Sequence, residues 1–434
     1  MTLLFQGGTV VDPGQKVEKK MDLLVQGGQI ADLGVIRAQP DWEVIDASGW
    51  ILAPGFMDMH VHLREPGRED EETIETGSRA AAAGGFTSLM CMPNTTPVND
   101  NEAVTRFVLD RARQVGLVNV FPAGAVTKGS RGEELAEIGA MFQAGVVAIT
   151  DDGRPLQNNQ IMRRALEYSR IFGLPVVDHC EDLDLAAGGC VNEGPVSTRL
   201  GLRGMSRTAE ELHVVRDIML SRVTGGHVHI AHLSTRESLQ WVRQAKDEGL
   251  PVTCEVTPHH FVLSDQDIQD YDTNFKMKPP LRGQADVEAM LEGLADGSID
   301  CIATDHAPHA SPEKETTFEA AANGIIGLET AIPLAWEFLV KKGVVSVGRL
   351  VELFSLNPNR ILSLGGGHLR PGAAADLTLI DPARRITVDV SHFESKSRNC
   401  PFQGWRLQGV PVMTVVGGKI IYRRSVAVSP ASIC

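Results

Sequence analysis

The sequence predicts a (β/α)8 barrel of the TIM type, carrying a small β-sandwich assembled from both chain ends. Three observations point there. From about residue 52 to 364, short apolar segments alternate with helix-length amphipathic ones, and eight such strands can be counted. Before and after that stretch the chain is rich in β-type segments punctuated by glycine. Polar residues collect where the predicted strands end, the face on which barrels of this kind place their chemistry.

The elements follow in order. TLLFQGGTVVD and DLLVQGGQIADLG at the amino end read as strands separated by Gly-containing turns, and AADLTLIDP, RITVDV and VPVMTVVGGKIIYRR near the carboxyl end read likewise. Neither end alone supplies enough strands for a stable sheet. Residues 1–51 and 365–434 are therefore expected to form one composite β-sandwich domain beside a barrel over 52–364. The eight barrel strands are ILAPGFMDMHVHL, FTSLMCMPN, VNVFPAGAV, GVVAITDDG, LPVVDHCED, HVHIAHLST, PVTCEVTPHH and IDCIATDHAPH. Between them lie helices such as EETIETGSRAAAAGG, NEAVTRFVLDRARQVG and TAEELHVVRDIMLSRVTGG. Strand–helix alternation with apolar strands means a parallel sheet covered by helices, and eight units close a barrel. A doubly wound open sheet is the second choice, disfavoured because no GxGxxG follows the first strand.

Composition bounds the function. The chain has 434 residues and a formal net charge of -14, which excludes nucleic acid as the main partner because no basic stripe could neutralise phosphates. The amino terminus has no basic region followed by an apolar run, and no stretch of 18 apolar residues occurs, so neither secretion nor a membrane is expected. The seven cysteines are scattered without CxxC spacing, which fits a reducing cytoplasm and argues against a thiolate metal site. Any metal must be held by histidine and carboxylate.

Those residue types stand at the strand ends. The first strand ends in Asp58-Met59-His60-Val61-His62, where alternation puts His60 and His62 on one side, within reach of one ion. The fourth ends in Asp151-Asp152-Gly153 and the fifth in Asp178-His179-Cys180-Glu181. The sixth carries His227, His229 and His232, and the eighth ends in Thr304-Asp305-His306-Ala307-Pro308-His309. Each has a bland reading: an incidental HxH, an Asp-Gly turn, a core histidine, a helix N-cap. Their concentration at the ends of five strands favours chemistry. A histidine and carboxylate set without thiolates suits catalytic Zn2+ with open positions. A bridging carboxylate would allow two ions, and a remaining carboxylate would shuttle a proton.

The segments DMHVHLREPG, GGFTSLMCMPNTTP and ATDHAPH, with SLNPNRILSLG and LRPGAAADLTLID after the barrel, resemble the amidohydrolase superfamily and, within it, the type I dihydroorotases. The resemblance spans essentially the whole chain. It implies zinc, one or two ions with two favoured, and a cyclic-amide hydrolase that reversibly closes N-carbamoyl-L-aspartate into L-dihydroorotate in pyrimidine biosynthesis. It implies His60 and His62 as ligands of one metal, Asp152 as the bridging carboxylate, and His179 and His232 as ligands of the second. Asp305 corresponds to the catalytic acid/base, which can also touch the first metal. Arg64, Asn94 and His309 correspond to residues that hold the substrate carboxylate, and an Arg fork can grip a carboxylate in two hydrogen bonds. His227, His229, His259 and His260 correspond to no metal position. A homodimer and a complex with aspartate transcarbamoylase are implied as partners.

Two departures touch substrate contacts. Lys278 stands where the family often has an Asn in a KxNPPLR segment, and Ala322-Asn323-Gly324 stands where it often has Pro-Phe-Gly. Lys278, Asn323 and Gly324 are therefore the expected points of altered substrate fit. Related hydantoinases and allantoinases usually bridge their metals with a carboxylated Lys where this chain has Asp152. A metal-free pseudo-dihydroorotase that only scaffolds aspartate transcarbamoylase would lack ligand histidines, and here every one is present.

Overall fold

The computed structural model describes residues 2–425. Met1 and residues 426–434, the last part of the segment expected in the sandwich, lie outside the described residues. Eight parallel strands form one sheet in chain order: Phe56–Val61, Phe86–Cys91, Asn119–Gly124, Ala148–Ile149, Val176–Asp178, Val228–Ile230, Val252–Val256 and Cys301–Ile302. The sheet closes where the chain beyond the eighth strand meets the first. Val61 bridges His306 in parallel, and His62 N donates to His306 O at 2.9 Å.

Period-2 alternation sorts the strand side chains into two layers. Met57, Met59, Met90, Ala123, Ala148, Val177 and Cys301 form one buried cluster that fills the barrel. Phe56, Leu89, Val120, Ile149, Val176, Ile230 and Val256 join helix residues such as Ala80, Val108, Met162, Val214 and Leu239 in the outer core. Each Val or Leu buried there contributes roughly 1.5–3 kcal/mol. The covering helices start where the sequence supplies caps. Ile74–Gly84 begins with a capping box between Thr73 and Thr76, and Glu102–Val115 begins at Asn101, whose side chain accepts from Ala103 N and Val104 N.

The two ends of the chain build two further sheets. One contains Thr2–Gln6, Asp22–Gln26, Gln29–Gly34 and Glu43–Asp46; the other contains Thr9–Asp12, Val17–Lys20, Ile51–Pro54, Leu377–Thr387, Arg406–Val416 and Lys419–Arg423. Leu3, Phe5, Leu23 and Val25 of the first pack on Val10, Leu52, Leu377, Leu379 and Met413 of the second. Alternate residues of the second sheet, Val11, Ile51, Ala53 and Ile380, turn the other way into the outer core of the barrel. Sandwich and barrel therefore share that sheet.

One element differs from expectation. ILAPGFMDMHVHL is two strands: Ile51–Pro54 belongs to the shared sheet and Phe56–Val61 to the barrel. The break falls at Gly55, where a Cβ would stand 2.2 Å from Thr87 Oγ1. Only glycine lets the chain pass so close to the second barrel strand as it changes sheets.

Candidate active site

At the carboxyl end of the barrel, His60, His62, Asp152, His179, His232 and Asp305 converge, none more than 4 % exposed. A register irregularity interrupts the first strand between Asp58 and Val61; Val61 turns out into the helix-facing core while His60 and His62 turn in. Asp152 is the hub. Its Oδ1 faces His60 Nε2 at 3.4 Å, His179 Nδ1 at 3.6 Å and His232 Nε2 at 3.6 Å, and its Oδ2 faces His62 Nε2 at 3.5 Å. Asp305 Oδ1 lies 3.0 Å from His62 Nε2 and 3.4 Å from His60 Nε2.

These spacings fit donors gathered around a cation. Asp152 Oδ1 and His60 Nε2 are buried without a hydrogen-bond partner. Such atoms cost roughly 1–3 kcal/mol each when left unsatisfied. Nitrogen and oxygen ligands about 2.0–2.1 Å from a tetrahedral ion lie roughly 3.3 Å apart. Three overlapping groups have ligand atoms within 4.8 Å of one another: His60-His62-Asp152, Asp152-His179-His232 and His60-His232-Asp305. Asp152 belongs to two of them, the position a bridging carboxylate needs.

The far nitrogen of several rings is held from behind, which fixes ring orientation. His60 Nδ1 meets Glu255 Oε1 at 2.7 Å, His62 Nδ1 meets Asn94 Oδ1 at 2.9 Å, and His179 Nε2 meets Glu181 Oε2 at 3.4 Å. Glu255 also lies 3.3 Å from His229 Nε2, so His229 sits behind the site. Asp58 accepts from His60 N at 3.0 Å and Thr304 N at 3.1 Å, tying the first strand to the end of the eighth.

The electrostatics follow from this packing. Burial opposes the charged form of Asp305, yet His60 and His62 hold its pKa down at about 2. Burial likewise opposes Asp152, and His60, His179 and His232 outweigh it, holding the carboxyl well below its usual range. Burial opposes protonation of His179, whereas Asp152 and Glu181 raise it to about 9. Burial also opposes protonation of His60, whose pKa Asp152, Asp305 and Glu255 nonetheless raise well above its usual range, whereas burial and nearby Arg64 lower that of His62.

Arg64, His232 and Asp305 have positive φ angles of 62°, 33° and 48°. Non-glycine residues rarely adopt that region, and such strain concentrates at functional sites.

A cavity of about 200 Å³ opens above the cluster, lined by His62, Asp152, His179, His232 and Asp305 together with Arg64, Asn94, Lys278, His309 and Asn323. Larger hollows elsewhere, such as one of about 490 Å³ beside Asn359 and His368, contain none of the clustered ligands. Asn94 lends Oδ1 to His62, which leaves its amide NH2 for the cavity. Lys278 Nζ pairs with Glu181 Oε1 at 2.7 Å. Gly324 lies behind the wall: a Cβ there would stand 2.7 Å from His309 Cδ2. Two buried lysines hold this loop, Lys276 Nζ donating to Ala321 O at 2.6 Å and Lys314 Nζ to Ala322 O at 2.9 Å. Asp151 turns away, accepting from Val126 N at 2.9 Å.

Sequence reading gave no role to Glu71, Glu255 or the two loop lysines, and named Glu181 only as part of the fifth strand's end. Glu255 left a signal, a lone acid inside the apolar run VTCEV of the seventh strand. Glu71 left none: nothing local shows that it, and not Glu65, takes Arg64, and its third partner, His309, comes from a loop more than two hundred residues away.

Comparison with known proteins agrees with this geometry. Residues 49–238 match the model of the dihydro-orotase-like family, and residues 259–422 that of the amidohydrolase family. The chain is 51 % identical to a dihydroorotase of Solibacter usitatus, over 98 % of this chain and 99 % of that one. It is 53 % identical to a dihydroorotase of Pelotomaculum thermopropionicum, over 97 % of this chain and 98 % of that one. Among solved structures it resembles an L-hydantoinase (dihydropyrimidinase) from Arthrobacter aurescens, with a TM-score of 0.87 and 26 % identity over 96 % of this chain and 95 % of that one. It shares its fold with a dihydropyrimidinase from Brevibacillus agri, with a TM-score of 0.84 and 22 % identity over 98 % and 95 %. Barrel, terminal sheets and histidine–aspartate cluster, with the family matches, define an amidohydrolase, here one that acts on cyclic amides. Within that class, the chain belongs to the dihydroorotase family.

Proposed function

We propose that the enzyme interconverts N-carbamoyl-L-aspartate and L-dihydroorotate in pyrimidine biosynthesis, using zinc held by His60, His62, Asp152, His179 and His232. The observation that carries this reading is the unbonded Asp152 Oδ1 among three imidazole nitrogens at 3.4–3.6 Å, beneath a cavity that Arg64 enters. Two ions are favoured over one because two ligand groups meet at Asp152. When bound, zinc polarises the scissile carbonyl and lowers the pKa of the attacking water.

The protein's own groups do the rest. Arg64, His309 and Asn94 bind the substrate carboxylate and fix the ring over the cluster, with Lys278 and Asn323 on its other sides. Asp305 is ionised and reaches the cluster, so it can take a proton from the attacking water and deliver it to the departing ring nitrogen. One C–N bond breaks, the carbonyl carbon becomes a carboxylate and a proton is released. Acid therefore favours ring closure and alkali favours hydrolysis.

The catalytic unit is the barrel expected over residues 52–364, its first strand starting at Phe56, and the composite sandwich takes Ile51–Pro54 with the described residues before and after the barrel. Six described cysteines are free and buried, which supports a reducing, cytoplasmic setting. No helix among the described residues is long and apolar enough to cross a membrane. Family resemblance supports a homodimer and association with aspartate transcarbamoylase. A substrate panel tests the reading: dihydroorotate should be opened in strong preference to hydantoin and allantoin, which lack the carboxylate. Equal turnover of all three contradicts it.

A further inference from the structure

We infer that Glu71 is a positioning residue, which fixes both Arg64 and His309 in the carboxylate pocket and helps decide which edge of Arg64 the substrate meets. Glu71 lies in the loop between the first barrel strand and its helix and is 1 % exposed. Its Oε1 lies 2.9 Å from His309 Nδ1, and its Oε2 lies 3.0 Å from Arg64 Nε. The Nε–H itself donates to Pro308 O at 3.1 Å, so the contact with Glu71 is an ion pair. The Nε edge of the guanidinium is thereby occupied, which leaves the two terminal nitrogens, one of them 3.4 Å from His309 Nε2, to face a ligand carboxylate. The His309 ring is held at its other end by Asn323 O, 2.9 Å from Nε2.

Glu71 is not merely a surface charge drawn to the nearest cation. Its Oε2 has no hydrogen bond, so the charge of Arg64 is what compensates it. Arg68, 3.1 Å from Oε1, and Glu313, 3.3 Å from His309 Nδ1, extend the same network outward. Ser397 Oγ donates to Glu71 O at 2.7 Å and anchors the backbone from the carboxyl-terminal segment. The arrangement presets Arg64 and His309 for one incoming anion, so less side-chain freedom is lost on binding.

This inference rests on the reading of Arg64 and His309 as the carboxylate pocket, and the test separates the two. Steady-state kinetics with dihydroorotate, with zinc content and melting temperature recorded in parallel, are measured for Glu71→Gln, Glu71→Asp, Arg64→Ala and the Arg64→Ala/Glu71→Gln double variant. Glu71→Gln keeps the shape and removes the charge. It should raise KM about tenfold while kcat changes less than about threefold. Glu71→Asp should recover part of that loss at unchanged zinc content. In the Arg64→Ala background, the same substitution should cost clearly less than in the parent, because only the hold on His309 remains to be lost. If Arg64→Ala raises KM strongly but Glu71→Gln leaves KM unchanged, or costs the same in both backgrounds, the positioning role is wrong and the pocket stands. If Arg64→Ala itself leaves KM unchanged, the pocket reading fails and takes the role of Glu71 with it. Should Glu71→Gln not fold, Glu71→Asp alone and with Arg64→Ala gives the same comparison.

Discussion

His60 Nδ1 and Glu255 Oε1 lie 2.7 Å apart beneath the barrel mouth, both fully out of solvent. The contact leaves His60 Nε2 as the nitrogen that faces Asp152 and Asp305. It also places a carboxylate behind a ligand, where it raises the basicity of the imidazole and locks its tautomer.

Glu255→Gln should therefore weaken metal binding by roughly 10–100-fold while the chain still folds. Zinc competition with a chromogenic chelator reads this directly. Unchanged affinity would reduce Glu255 to a partner of His229 alone.

Asp305→Asn should retain metal and lose roughly 10²–10⁴-fold in kcat, the usual contribution of a positioned acid/base. The partner measurement is KM, which should move little. A near-normal kcat would leave Asp305 as a structural link between His62 and the eighth strand.

Arg64→Lys keeps the charge and loses the fork, so dihydroorotate should bind more weakly by about 2–5 kcal/mol, the range for a poorly paired buried charge. Kinetics with dihydroorotate and with an uncharged cyclic amide distinguish this from general damage. Equal loss toward both would count against carboxylate recognition.

The first barrel strand shows how much of this site was legible in the sequence. That His60 and His62 share a side of the strand could be read from alternation, because strand geometry is local; the choice of Asp152 over Asp151, and of His232 over His227 and His229, came from family resemblance. The break at Gly55 could not be read, since ILAPGF is apolar on both sides of it and the change of sheet is a tertiary event. Partner choice was likewise hidden. Arg64 could be expected to pair with adjacent Glu65 if it were only structural. Instead Glu65 accepts from Ile74 N at 2.8 Å and pairs with Arg111 at 2.9 Å, while Arg64 turns to Glu71 at 3.0 Å. Asn94 was legible as a pocket residue, but its second task of holding His62 depends on where two loops meet.

Lys314 provides a pH test away from the metal cluster. Burial first, and then nearby Lys276, push its pKa down to about 7. In the unfolded chain it keeps its proton to about 10.4. Between those values the unfolded state binds more protons, so this group makes stability rise with pH across the window, by up to about 1.4 kcal/mol per unit, and contributes no slope below it. Denaturant titrations at pH 7 and pH 9.5 should show this rise in the parent and not in Lys314→Met. Parallel behaviour of the two proteins would mean that Lys314 is charged in the fold.

Catalysis as proposed depends on metal held by the cluster around Asp152. The most direct measurement is dihydroorotate turnover by chelator-stripped enzyme as zinc is titrated back, with bound zinc counted at each point. The predicted result is no turnover without metal, and activity that rises with zinc bound to the parent but not to His60→Ala. Full turnover by the stripped enzyme, or equal recovery by His60→Ala, would contradict the account.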